Sequence, residues 1–165
     1  GVQTGMTVCD IGCGNGYYSL QLAEMVGPTG RVLAVDIQPE MLNLLRQRAA
    51  KANIANITPI IGTLHDPKLP EAEVDLILLV DVYHEFSHPE WMLKAMRRAL
   101  KPDGVIALLE YREEDPNVPI KPLHKMSKLQ IMKEFSPNGF KLVKQFERLP
   151  WQHMMFFGRD ETNQR

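Results

Sequence analysis

The stretch Met6-Thr7-Val8-Cys9-Asp10-Ile11-Gly12-Cys13-Gly14-Asn15-Gly16 decides the fold. Its first six residues read as a short buried strand, and three glycines on alternate positions follow at once. A helical stretch then carries Leu20, Leu22, Ala23 and Val26 and closes at Gly27-Pro28. Taken alone, a glycine-rich turn between strand and helix is weak evidence, because any tight strand-to-helix turn looks similar. The rest of the chain supplies the context.

Working outward, Arg31 to Val35 reads as a second strand ending at Asp36, and Pro39 suits the first turn of the next helix. That helix carries Met41, Leu42, Leu44, Leu45 and Ala49 on a 3.6-residue pattern and ends near Ala52-Asn53. Ile57 to Ile61 is a third strand, ending at Gly62; the turn-rich piece His65 to Glu73 leads to Val74–Val80. The sequence VDLILLV reads as a strand buried on both faces, as in a parallel sheet. Pro89 starts a helix with Trp91, Met92, Leu93, Ala95, Met96 and Leu100, and the turn Lys101-Pro102-Asp103-Gly104 hands over to Val105–Leu109. Such alternation predicts an α/β fold with right-handed crossovers.

The ending differs. Ser127 can cap a helix to about Phe135, which stops at Pro137-Asn138-Gly139. Phe140 to Phe146 and Trp151 to Phe157 alternate like strands with a short break, which reads as a hairpin rather than another crossover. The expected fold is a doubly wound, mostly parallel seven-stranded sheet with a C-terminal antiparallel hairpin. Glu110 to Met126 is long and irregular, and its acids read as a solvated loop.

Composition narrows the partners. The 165 residues carry 19 basic and 20 acidic side chains, a net charge of −1, which argues against a large nucleic-acid footprint. The two cysteines, Cys9 and Cys13, are too few for a disulfide scaffold and point to a reducing, cytoplasmic setting. No apolar run is long enough to span a membrane. Oligomeric state stays open at this level.

The glycine loop has a definable ligand. The dinucleotide fingerprint G-x-G-x-x-G fails because its third glycine falls on Tyr17, and no Gly-Lys-Ser/Thr follows to make a P-loop. Asp10 would repel a diphosphate and favour an ammonium or sulfonium. Asp36, 20 residues after Gly16, stands where an acid accepts hydrogen bonds from both hydroxyls of a ribose. A nucleoside with a cationic tail and no pyrophosphate fits, and S-adenosylmethionine is such a molecule.

These motifs resemble the class I S-adenosylmethionine-dependent methyltransferases. Val8 to Gly16 resembles that family's first motif, Val35-Asp36-Ile37 its acidic second motif, and Ala99-Leu100-Lys101-Pro102-Asp103-Gly104 the turn before its fifth strand, with Asp103 replacing one glycine. The resemblance covers essentially all 165 residues as one domain, without the N-terminal helices that often cover the cofactor. It implies a cofactor site of Asp10, Gly12, Cys13, Gly14, Asn15, Gly16, Asp36, Ile37, Gly62, Thr63, Leu64 and Asp81, with S-adenosylhomocysteine as product. One departure follows Gly62: where many relatives place an acid against the adenine amino group, this chain has Thr63, with Asp66 later.

His84-Glu85-Phe86-Ser87-His88 matches the zinc-protease pattern H-E-x-x-H, which needs both histidines on one helical face. Pro89 disfavours helical geometry at His88, and no third ligand is evident, so a zinc hydrolase is set aside and no metal is expected. The same residues read as the loop after the fourth strand, where open α/β sheets bind ligands. Tyr83 and His84 are then candidates to face the transferred methyl, His84 as base or as a residue shaping the pocket. Residues 111 to 126 either wall the acceptor pocket, with Tyr111 and His124 reaching inward, or form a plain connector. Lys121, His124 and Lys125 either hold an anionic acceptor or lie on the surface. The expected activity is methyl transfer to a small molecule. The alternatives are a protein or RNA methyltransferase relying on further segments, and a cofactor-binding domain without transfer activity.

Overall fold

The computed structural model describes residues 1–162. Eight strands form one sheet: β1 (Thr7–Ile11), β2 (Arg31–Asp36), β3 (Ile57–Ile61), β4 (Val74–Val80), β5 (Leu100–Arg112), β6 (Lys125–Met126), β7 (Phe140–Phe146) and β8 (Gln152–Arg159). Their order is β3-β2-β1-β4-β5-β8-β7, with the two-residue β6 pairing in parallel with the far end of β5. β1 to β5 are mutually parallel, and β8 joins them antiparallel, followed by β7. The order reverses between β1 and β4, which is where such sheets open a ligand crevice.

Alternation along β2 shows how both faces are covered. Val32 and Ala34 meet helices α1 (Tyr17–Val26) and α2 (Pro39–Lys51), through Leu22, Ala23 and Val26 and through Leu42 and Leu45. Leu33 and Val35 fall on the other face, in the main core with Met92, Leu93 and Met96 of α3 (Pro89–Ala99) and Ile131 and Phe135 of α4 (Lys128–Phe135). Period-2 strands carry apolar side chains to both faces only when both are covered by helices. Phe135 stacks on Phe157 of β8 with centroids 4.1 Å apart, which fixes the terminal hairpin to the core.

Local chemistry sets the element ends. The Ser127 hydroxyl accepts the Gln130 N–H at the start of α4, and Gly139, at φ +80°, ends the short turn after it. The outer strands differ from the inner ones: β3 carries Pro59, while β7 is largely exposed and carries Lys141 and Lys144.

Two expectations are corrected. Lys101 to Gly104 is not a free turn, because β5 begins at Leu100, which pairs with Val74 across a register shift. The segment 111–126 is not wholly irregular: a short 3-10 turn over Pro122–His124 leads into β6, which returns the chain to β5. No helix among the described residues is long and apolar enough to cross a membrane.

Candidate active site

The carboxyl ends of the central strands converge on one cleft, and four carry an acid. These are Asp10 in β1, Asp36 at the end of β2, Asp81 after β4 and Glu110 in β5. The cleft is lined by Gly12, Asp36, Ile37 and Gln38 on one side and by Gly62, Thr63 and Leu64 at the end of β3. Asp81, Val82, Glu85 and Phe86 close the other side.

Gly12 and Gly14 both have positive φ, +73° and +52°. A Cβ on Gly12 would stand 2.4 Å from Val82 Cγ2, so this glycine lets β1 and the loop after β4 approach. A Cβ on Gly14 would meet nothing within 4 Å, so the loop there faces open space. Asp36 is held by the loop itself: the Gly14 N–H donates to its Oδ2 at 2.9 Å and the Gln38 N–H to its Oδ1 at 2.9 Å. Each carboxylate oxygen keeps a lone pair for a further donor.

Other members of the expected cofactor set act from outside the cleft. Asp10 is buried and its Oδ2 accepts the Ser19 hydroxyl at 2.6 Å, so it contributes charge rather than a lining surface. Burial pushes its carboxyl up to about 6, partly offset by Ser19. The Cys13 side chain packs with Ala34, Leu42 and Leu45, its thiol pushed up by burial and by Asp10. The Asn15 side chain turns away to accept from Arg48, and Gly16 is the left-handed N-cap of α1, packed on Leu45. Asp66 does not supply the carboxylate missing at Thr63. Its Oδ1 accepts the Lys68 N–H, while Thr63 Oγ1 closes a local turn with the Asp66 N–H. The cleft at the end of β3 is therefore lined by Thr63 and Leu64 without a carboxylate from Asp66.

Asp81 is the most unusual residue of the site. Its backbone is left-handed at φ +48°, costly for a residue with a Cβ, and its Oδ1 is buried with no partner among the described residues. Burial, and next the nearby Glu110 charge, raise its carboxyl to about 6. Tyr18, on the first turn of α1, belongs to the same group: its phenol is raised by burial and then by Asp81.

The catalytic candidates separate. Tyr83 is corrected: its ring is 1% exposed, it packs on Phe86 and Phe135, and its hydroxyl donates to Glu134 of α4 at 2.6 Å. It anchors the loop to the core and does not face the cleft. His84 turns to β5, with Nδ1 2.7 Å from Glu110 Oε2 and its backbone N–H donating to Glu110 Oε1 at 3.2 Å. Its Nε2 lies 3.1 Å from His124 Nδ1, so segment 111–126 does reach the loop after β4. Tyr111 is half-buried at the end of β5, paired with Lys125 and Gln152. Lys125 donates to the Asp115 carbonyl, and Lys121 is exposed. His88 caps α3 and stacks on His65, so His84 and His88 do not share a helical face.

Glu110 is the residue that the solvated-loop reading missed. It is fully buried, its carboxyl raised by burial and drawn back down by His84. The signal was present: Ile106, Leu108 and Glu110 share one phase of β5, so the acid follows two core residues inward. A buried carboxylate on Nδ1 fixes the ring and turns Nε2 toward His124.

The sequence matches the methyltransferase domain family over residues 3–154. It is 30% identical over 118 residues to a demethylmenaquinone methyltransferase of Listeria monocytogenes, covering 72% of this chain and 49% of the relative. It is 32% identical over 112 residues to a ubiquinone/menaquinone biosynthesis C-methyltransferase of Pseudomonas fluorescens, covering 67% and 44%. The chain thus spans about half the length of these curated relatives. A crystal structure of a SAM-dependent methyltransferase from Aquifex aeolicus superposes with a TM-score of 0.88 at 27% identity, covering 95% of this chain and 84% of that one. The chain therefore belongs to the methyltransferase domain family, with the class I fold.

Proposed function

We propose that this chain binds S-adenosylmethionine in the cleft and transfers its methyl group to a small-molecule acceptor beside His84, releasing S-adenosylhomocysteine. The observation that carries the reading is the unpartnered, buried Asp81 oxygen in a cleft that Asp36 and Glu85 also line. Carboxylates crowded at strand ends create a negative potential that a cationic ligand relieves. Asp36 would hold the ribose hydroxyls, Gly12 and the open face of Gly14 the tail, and Gly62, Thr63 and Leu64 the adenine side. Asp81 and the deeper Asp10 would supply the charge that favours ammonium and sulfonium over phosphate. When bound, the cofactor supplies an electrophilic methyl on a sulfonium.

The protein's part is alignment and proton handling. Glu110 accepts the Nδ1 proton of His84, which leaves Nε2 facing His124. In this reading that nitrogen exchanges its contact with His124 for the acceptor atom and takes a proton from it as it is methylated. His124 and Tyr111 would wall the acceptor side. The relatives named as quinone-pathway methyltransferases support a small-molecule acceptor, and the near-neutral charge suits a small molecule better than a nucleic acid. Two free, buried thiols suit a cytoplasmic setting.

The test is a labelling assay. Protein, methyl-deuterated cofactor and a panel of demethylated quinols, phenols and thiols are incubated and searched by mass spectrometry for a labelled product. A labelled product that disappears in His84→Ala supports the reading; cofactor binding with no labelled product from any pool, including a cell metabolite extract, would favour a domain without transfer activity.

A further inference from the structure

We propose that His84 Nε2, His124 Nδ1 and the Glu85 carboxylate form a binding site for a zinc-class divalent cation, and that filling it blocks the base. The ligating atoms of these three residues all lie within 4.8 Å of one another. The two ring nitrogens are 3.1 Å apart, with the rings near perpendicular at 84°. Two nitrogens on one tetrahedral zinc, at about 2.0–2.1 Å each, are separated by about 3.3 Å. A few tenths of an ångström of opening would therefore convert the pair into two ligands.

Three further features favour the site. The two ring nitrogens already share one hydrogen bond, an N–H on one facing the lone pair of the other, so a cation would take the place of a single shared proton. Glu110 already accepts from the far nitrogen of His84, the carboxylate–histidine arrangement that orients metal ligands and raises their basicity. The ligands also come from two separately fixed pieces. His84 and Glu85 share the 3-10 turn anchored by Tyr83, and His124 ends the turn that β6 ties to β5. His and carboxylate donors suit a borderline ion better than calcium or magnesium. Three protein ligands leave one coordination position open.

The block rests on the reading of His84 as the base. An ion on Nε2 occupies the lone pair that would take the acceptor proton, so metal and proton transfer exclude each other.

The test uses the full chain without a histidine tag, stripped of metal, and titrated with cobalt(II) by visible absorption and with zinc by calorimetry. One ion per chain is expected. His124→Ala and Glu85→Gln, both at exposed positions, should weaken binding at least about tenfold, and Glu110→Gln roughly ten- to a hundredfold. His88→Ala should leave binding unchanged, because His88 stacks on His65 elsewhere. No one-to-one binding, or equal affinity in wild type and His124→Ala, would overturn the site and leave the methyl-transfer reading untouched. In the labelling assay, zinc should suppress product in step with site filling. Zinc bound one to one with product undiminished would instead overturn the block, and with it the role of His84 as base.

Discussion

Asp36 shows how a single side chain can be committed before any ligand arrives. Its two oxygens are oriented by the N–H groups of Gly14 and Gln38, so ribose hydroxyls would meet a fixed acceptor. Asp36→Ala should therefore weaken S-adenosylhomocysteine binding by about 1.5–3 kcal/mol, the range for hydrogen bonds to a charged group, measured by calorimetry. Unchanged affinity would remove Asp36 from that role. Tyr83 makes the opposite case. Its hydroxyl serves Glu134 and its ring serves the core, so Tyr83→Phe should lower stability by about 1 kcal/mol in denaturant unfolding, with turnover retained. A variant of normal stability that has lost turnover would return Tyr83 to the chemistry. The sequence placed both residues at strand ends, but position alone does not say which way a side chain points. For Tyr83 a short 3-10 turn decides it, and nothing in the local pattern announces that turn.

At the scale of elements, the parallel strands were legible because each has a period and a punctuated end. Val74–Val80 was readable to the residue, as was the Ser127 cap. What was not legible depended on partners distant in sequence. β6 is two residues long and exists only because Lys125 and Met126 meet Tyr111 and Arg112. The hydrogen-bond partner of the buried Glu110 is His84, 26 positions away. The 111–126 segment follows the same logic: three prolines in seven residues restrict it before it packs, and His124 then touches the loop after β4. Tyr111→Ala should lower turnover in the labelling assay while cofactor affinity stays within roughly 0.5 kcal/mol. Parallel losses of cofactor binding and thermal stability would make the segment a support of the fold.

For the molecule as a whole, a buried acid leaves a mark on stability across pH. Asp10 has a folded pKa of about 6 against an ordinary 3.8, so the folded chain holds that proton more tightly than the unfolded one. The linked stability is fully present below about pH 3.8 and is lost as pH rises to about 6, amounting to about 3 kcal/mol. Urea unfolding of wild type against Asp10→Asn from pH 4 to 7 should show the variant gaining on wild type over that interval; a constant difference would mean Asp10 does not titrate there. A second molecule-wide consequence lies at the two outer strands. Pro59 lacks the N–H an added strand would need, and Lys141 and Lys144 charge the opposite rim. Both margins of the sheet thus resist the addition of a further strand, which disfavours growth from chain to chain through the backbone.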